Sequence, residues 1–532
     1  MKKKYTNSSS NSTFLPIWGI SLVLLVVLYL MYSSSFTSDY LMNDELYFVG
    51  QNPRPEVVNH FFKYGRSLFG IYQSLIYNFV GYSPFKIQFV RFINFVSLAA
   101  IALVLFRFLH LKSKAIYLSF FAILFFCSQP AFQGIIGYSV QVFANSQPAI
   151  WLSLGAFYLH FYLIPNVKLP KWIAYSIVFI IFMAAMQSTQ TYAYFTMIPL
   201  SFLVLIEGNQ RQRQITIFFG LALSSFITSV LLYKVGLEIF PDKAYGLGQS
   251  SMAALTSSPL EVFINAINPQ KYWSAFKVWT YPYPFHHTLP LKENLKITMA
   301  MLVMFVWFCL IIAAIIIELF QHPKNKKLVL WKWLSALGCL SFGAFFIVAD
   351  SPLQTIDHRP HMTITFVGIY IFIGVYALQV IDAKYGLFNS VIVKSISILF
   401  VIMTAFGAQS NVQRGIVNIK QDQINFIRTE LFNKSPSEYQ KIIVILSPEN
   451  ICVAEPCDPW FGEITHQKWH ATRKGGYRYA LATLGILPSS KEIVFVNSYP
   501  EQIAQNALII DWRKYVTARK KYRNYINYSD LK

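Results

Sequence analysis

The sequence predicts an α-helical polytopic membrane protein of about eleven crossings, ending in a small extracytoplasmic α/β domain. Three observations predict it. Of 532 residues, 55% are hydrophobic and 13% charged, against about 25% charged in a soluble domain. Apolar runs long enough for a hydrocarbon core recur along the first three quarters of the chain. Lys and Arg concentrate in alternate short connections between those runs, which is the pattern of topology control. The net charge of +21 therefore reads as loop charge rather than a nucleic-acid footprint. The aromatic share of 17% suits lipid-facing helices and interfacial belts.

The apolar runs lie near 14–36, 86–109, 115–135, 140–163, 171–188, 191–206, 214–234, 295–319, 329–349, 361–380 and 388–408. The first has no clear small-residue cleavage site and reads as an anchor. Lys2, Lys3 and Lys4 precede it and assign it a cytoplasmic start. The connections then expected in the cytoplasm carry Arg107, Lys112 and Lys114; Lys168 and Lys171; Arg211 and Arg213; Lys324, Lys326 and Lys327; and Lys384. Residues 67–83 are apolar but short. Were they to cross, every later loop would invert and the Lys/Arg pattern would fail, so they are expected to lie at the interface. Residues 1–409 thus form the membrane domain, with long outer loops at 37–85 and 235–294. Beyond 409 hydropathy falls. KIIVIL (441–446) and EIVFVN (492–497) read as strands and 475–487 as a helix, so 410–532 is expected to form the α/β domain. Cys452 and Cys457 suit a local disulfide in an oxidising compartment, or two free thiols.

Three polar groups on the outer side could carry chemistry. The acidic pair Asp44–Glu45, in SDYLMNDELYFVG, follows the first span on a short tether; it is either a solvated loop or a carboxylate held at fixed depth to take a proton from an acceptor hydroxyl. Arg66, in FFKYGRSLFG, closes the same loop with a group suited to phosphate. Arg91, in IQFVRFIN, sits near the outer end of the second span, with Asn94 one turn further in; it either snorkels to headgroups or faces a polar cavity. Asp357–His358–Arg359–Pro360–His361 forms the third group, where His358 and Arg359 would grip a phosphate leaving group or meet lipid headgroups. Lys271, His286 and His287 lie in the long second outer loop, and Gln187, Gln190 and Tyr192 at the outer end of two spans; these are candidate substrate contacts, the latter three alternatively joining helices. No phosphate-binding glycine loop and no dinucleotide fingerprint occurs. Chemistry on the outer side would therefore need a donor carried by the membrane.

NDELYF resembles the Asp-Glu motif after the first helix of protein mannosyltransferases and aminoarabinose transferases. The stretch from Asp44 through YGRSLFGIYQSLIYNFVGYSPFKIQFVRFIN is more similar to the Gtr-type O-antigen glucosyltransferases. Both belong to the GT-C superfamily of membrane glycosyltransferases. The resemblance is sharpest over 39–95; elsewhere it extends only to hydropathy and topology. It implies a GT-C-like fold in a bacterial inner membrane with a periplasmic C-terminal domain. It also implies an undecaprenyl-phosphate-linked sugar donor and a polysaccharide or lipid-linked acceptor, in contact with membrane lipids and with no nucleic acid. It implies Asp44 as general base with Glu45 beside it, and Arg66 and Arg91 toward the donor phosphate; Arg359 and His358 rest on chemistry alone. The scheme requires no metal and no cofactor. The alternatives are a transporter or flippase for lipid-linked saccharides, and a non-enzymatic envelope assembly protein.

Overall fold

A computed structural model describes residues 14–41, 45, 66–137, 139–239, 293–349, 364–387, 390–446, 470–500 and 506–521. Helix α1 (Phe14–Thr37) is followed by the short α2 (Ser67–Val80) and the long α3 (Pro84–Ser113). The sequence marks both ends of α3. Ser83 caps its first turn by accepting from the Lys86 amide at 3.4 Å, and Pro84 occupies the first helical position, where no amide is needed. Lys114 ends it in the left-handed region (φ 56°), with its own amide bonded to the His110 carbonyl at 2.8 Å.

Next come α4 (Ile116–Cys127) and α5 (Pro130–Gly137), which meet at a 57° bend. Pro130 cannot donate to the ladder there, and side chains take up the released carbonyls. Gln133 Nε2 donates to Ser128 O at 2.7 Å, and Gln129 Nε2 to Phe125 O at 2.9 Å. Helix α6 (Ser139–Tyr158) leads through a π-helical turn (Leu159–Leu163) toward α7 (Lys171–Ser188) and the single turn α8 (Gln190–Ala193). Helix α9 (Met197–Ile239) is kinked at Arg211 (φ −117°, ψ 15°). Then follow α10 (Glu293–Gln321), α11 (Lys326–Ala349), α12 (Ile364–Tyr385) and α13 (Val391–Ser410).

Among the described residues, each expected apolar run is largely helical: 115–135 is divided between α4 and α5, 191–206 begins in α8 and shares α9 with 214–234, and 361–363 and 388–389 lie outside the described residues. Among the described residues, seven helices are long and apolar enough to cross a membrane, and nine spans result if each of two bent pairs is one span. The most apolar stretch of α12 is 89% buried, whereas those of α13 and α1 are 12% and 22% buried. Helix α12 is thus the centre of the bundle, and α1 and α13 lie at its margin. Helix α2 has only 14 residues, about 21 Å at 1.5 Å per residue, and is too short to span a hydrocarbon core. It buries Phe69, Gln73 and Tyr77 on one face and exposes Ile71, Leu75 and Phe79 on the other.

Beyond Ser410 the helix does not stop where the sequence suggested a boundary. A π-helical stretch (Asn411–Val417) joins α13 to α14 (Asn418–Phe432). The C-terminal unit then builds β1 (Lys441–Ile445), α15 (His470–Thr483), β2 (Glu492–Val496), β3 (Ala507–Asp511) and α16 (Trp512–Lys521). Its strands form a parallel sheet in the order β2-β1-β3, with Lys441 opposite Glu492 on one side and Ala507 on the other. The core of this unit is separate from that of the bundle and includes Phe426, Ile427, Ile442, Val444, Tyr477 and Trp512. The two strands expected from sequence are present, and β3 and α16 are additions to that expectation.

Candidate functional site

The residues just after α1 are held by the start of α3. Gln88 Nε2 donates to Thr37 O at 3.1 Å, and Arg91 Nη1 to Ser38 O at 3.0 Å. Arg91 Nη2 donates to Tyr40 O, and the guanidinium carbon lies 3.7 Å from the centre of the Tyr40 ring. The Tyr40 hydroxyl donates to Gly137 O at 2.8 Å. Burial pushes that phenol up to about 12, the Arg91 charge opposing and the Glu45 charge assisting. Glu45 completes the nest. One carboxylate oxygen sits 3.4 Å from Arg91 Nη2, and the other accepts from the Val140 amide at 2.6 Å. Val140 lies in the first turn of α6, where backbone amides have no partner within the helix and the helix dipole favours an anion. The side chains of Glu45 and Arg91 are both 0% exposed, so each charge is compensated inside the protein rather than by water.

A polar chain continues inward from this nest. Asn94 Nδ2 donates to Ile135 O at 3.2 Å, Gln147 Nε2 to Asn94 Oδ1 at 2.8 Å, and Ser97 Oγ to Gln147 Oε1 at 2.6 Å. Trp151 Nε1 closes it on Ser97 Oγ at 2.7 Å. Gly137, at the end of α5, packs closely against Ile416: a Cβ there would meet Ile416 Cδ1 at 2.7 Å, and that side chain would have to shift.

A second cluster forms where α2 meets the corner between α7 and α8. Arg66 Nε donates to Gln190 Oε1 and Ser67 Oγ to Gln187 Oε1, each at 2.9 Å. Tyr192 is buried in the main apolar core of the bundle. On α2, Gln73 is 0% exposed, and neither amide atom has a hydrogen-bond partner among the described residues.

The third element was not anticipated. Asp39 is gripped by the C-terminal unit: Arg428 of α14 forms an ion pair with it, Gln421 Nε2 donates to Oδ1 at 2.7 Å, and the Tyr479 hydroxyl of α15 donates to its carbonyl at 2.9 Å. Burial alone would raise the Asp39 carboxyl. The Arg428 hydrogen bond and charge, the Gln421 hydrogen bond and the Arg91 charge outweigh it and hold the group below the usual aspartate range. The Tyr479 phenol is pushed well up by burial and by the Asp39 charge. Around these contacts Leu41, Phe69, Tyr77, Val90, Val140, Ile424 and Tyr479 share one apolar cluster, so the loop, α2, α3, α6 and the C-terminal unit pack together.

The structure therefore brings together Glu45 with Arg91, and Arg66 with Gln187 and Gln190. Asp44, Lys271, His286, His287, His358 and Arg359 lie outside the described residues. Arg91, expected toward a donor phosphate, is 1% exposed, and its guanidinium donates to the carbonyls of Ser38 and Tyr40. Glu45 is likewise engaged within the protein. Asp39, Tyr40, Arg428 and Tyr479 were missed. Asp39 and Tyr40 belong to the same SDYLMNDE stretch as the acidic pair, whereas Arg428 carried no sequence signal.

The other end of the bundle is less plain than basic loops. Arg91 and Lys112 lie on one helix, 21 residues apart by number, or about 30 Å by helical rise. Near Lys112, Glu207 pairs with Lys112 and, at 2.6 Å, with Arg211. Glu318 pairs with Lys332 at 2.6 Å and accepts from Trp333 Nε1 at 2.7 Å and Tyr376 Oη at 2.6 Å.

No protein-family model matches this chain, and no curated protein matches it.

Proposed function

We propose that this protein is a glycosyltransferase of a bacterial inner membrane. In this reading it moves a sugar from a polyprenyl-phosphate donor to a surface glycan or lipid-linked acceptor on the periplasmic side. The observation that carries it is the anchoring of Glu45. Its carboxylate is locked between the buried Arg91 and the Val140 amide, and its neighbour in the chain is Asp44. A general base works only when held within hydrogen-bond reach of the proton it removes, and an anchor at the adjacent residue supports that reading of Asp44.

The chemistry follows. The acceptor hydroxyl gives its proton to the Asp44 carboxylate. Its oxygen forms a bond to the anomeric carbon from the face opposite the donor phosphate. The bond from that carbon to the phosphate oxygen breaks, and the electron pair leaves with the polyprenyl phosphate. Cationic groups aimed at the departing phosphate lower the barrier; Arg66, Arg359 and His358 are assigned to it, and Arg91 is assigned to holding the loop. Gln187 and Gln190 border Arg66 and are assigned to the sugar, with Lys271, His286 and His287 as contacts from the long outer loop.

The bundle is counted as about eleven crossings. Helix α9 contributes two, since its 43 residues extend about 65 Å, roughly twice a hydrocarbon core, and it kinks at Arg211. Helices α10 and α11 cross separately, and α4 with α5 makes one broken crossing. This count leaves the C-terminal unit in the periplasm.

The test is Asp44→Asn in cells, scored by the mass of the surface glycan and by protein abundance. General-base removal predicts a rate loss of about 10²–10⁴-fold at normal abundance. A glycan that remains fully modified would remove Asp44 from this role.

A further inference from the structure

The C-terminal unit touches the loop that carries the acidic pair, and does so through groups suited to fixing a backbone. Asp39 stands five positions before Asp44 and six before Glu45. Its carboxylate is paired with Arg428 and accepts from Gln421, and its carbonyl accepts from the Tyr479 hydroxyl. The Arg428 guanidinium is itself braced: Nε donates to Thr483 Oγ1 at 2.9 Å, and its carbon lies 5.5 Å from the Tyr479 ring centre. Two helices of the C-terminal unit, α14 and α15, thus hold one loop residue between them.

The mounting of α14 is stiff. From Val391 to Phe432 the chain is helical throughout, passing through the π-helical stretch Asn411–Val417. Ile416 in that stretch rests on Gly137, whose carbonyl accepts from Tyr40. The last bundle helix therefore runs into the C-terminal unit without a loop and passes over the Glu45–Arg91 nest. A π-helical segment inside a helix is itself frequent at functional sites.

We propose that the C-terminal unit is a positioning element of the proposed active site, with Arg428 and Tyr479 as positioning residues that set the register of the acidic loop. Arg91 holds the Ser38 and Tyr40 carbonyls and, with the Val140 amide, Glu45; the C-terminal unit adds its grip on Asp39. Residues 38–40 and Glu45, which flank Asp44 in the chain, are thus held from the bundle and from the C-terminal unit together. The part of this inference that concerns catalysis rests on the transferase reading, and the mechanical part does not.

The experiment separates them. Hydrogen exchange is measured on the full-length protein in lipid nanodiscs, comparing the unsubstituted chain with Arg428→Ala, Arg428→Lys and Tyr479→Phe. Arg428→Ala and Tyr479→Phe should lose protection across residues 38–45 while α12 keeps its own, and Arg428→Lys should retain most of it. Unchanged protection over 38–45 in both Arg428→Ala and Tyr479→Phe would overturn the proposal. Should Arg428→Ala fail to fold, Tyr479→Phe, which deletes one hydroxyl, decides alone. Glycan transfer by the same proteins is the second readout. A misplaced base predicts a turnover loss on the order of ten- to a hundredfold at unchanged KM for the lipid-linked donor, with Arg428→Lys restoring most of it. Normal turnover in a variant whose loop has lost protection would overturn the catalytic part. Absence of transfer by the unsubstituted protein would instead overturn the transferase reading and leave the exchange result standing.

Discussion

Glu45 and Arg91 lie 46 positions apart, yet each is the other's charge partner at 0% exposure. Removing one partner of such a pair strands the other charge in a low-dielectric site, which costs about 3–5 kcal/mol. Arg91→Met should therefore lower the thermal unfolding midpoint of the purified protein strongly. Glu45→Leu should do the same, with the further loss of the Val140 amide's acceptor. The double variant should be less destabilised than the two single losses added together, because no unpaired charge remains. Strict additivity of the three midpoints would show that the two side chains do not sense each other. The sequence made part of this legible. NDEL and the arginine of IQFVRFIN are local patterns, and a charged residue at membrane depth is conspicuous. Their pairing was not legible, since it depends on the packing of α3 against the segment after α1. Arg428 was less accessible still: its partner Asp39 is 389 positions away, and nothing near residue 428 distinguishes it from any exposed helix arginine.

Helices were the most readable elements, because a long apolar run has few other fates in a chain this poor in charge. What hydropathy does not record is how closely two helices approach. Gly374 in α12 faces the Trp307 indole of α10 so closely that a Cβ would overlap Nε1 and Cε2. The indole is also tied to α12, since Nε1 donates to Tyr370 O at 3.2 Å. Gly374→Ala should push the indole off and loosen the contact between α10 and α12, at about 1–3 kcal/mol for overpacking. Gly155→Ala in α6, where nothing lies within 4 Å of the added carbon, should be neutral or slightly stabilising. Comparing the two midpoints in one detergent checks this, and equal midpoints would contradict the close approach. The same limit explains why the continuity of the helix past 409 was not legible. Falling hydropathy marks where a helix leaves an apolar environment, and a helix can leave without ending. The β3 strand, ALIID, was missed for a related reason. It is five residues long and buried only because β1 pairs with it in parallel.

At the scale of the molecule, the two ends of the bundle differ in kind. The acidic-loop nest lies at the start of α3, and Lys112 at its far end joins Glu207 and Arg211. Trp331 and Lys332 approach Gly208, so the α10–α11 turn, with Lys324, Lys326 and Lys327, belongs to that same end. Arg211 also donates to Phe161 O in the π-helical turn after α6. Three of the basic connections that the charge pattern assigned to the cytoplasm, at Lys112, at Arg211 and at the α10–α11 turn, are thus neighbours in space. If that face is cytoplasmic, the opposite end, with Asp39 and the C-terminal unit, is periplasmic. Membrane-impermeant maleimide labelling of single cysteines in a cysteine-free background decides it, provided the sites are open. Tyr40 would be a misleading choice because it is 0% exposed, whereas Tyr499 in the C-terminal unit is 51% exposed and Lys324 lies exposed in the α10–α11 turn. Tyr499→Cys should label in intact spheroplasts, and Lys324→Cys only after the membrane is permeabilised. The reverse result would place the basic face outside and the acidic loop in the cytoplasm. A lipid-linked donor would then lose its rationale, because soluble nucleotide sugars are available there. Labelling of both sites from one side would mean that the crossings between them, assigned to α11, α12 and α13, are miscounted.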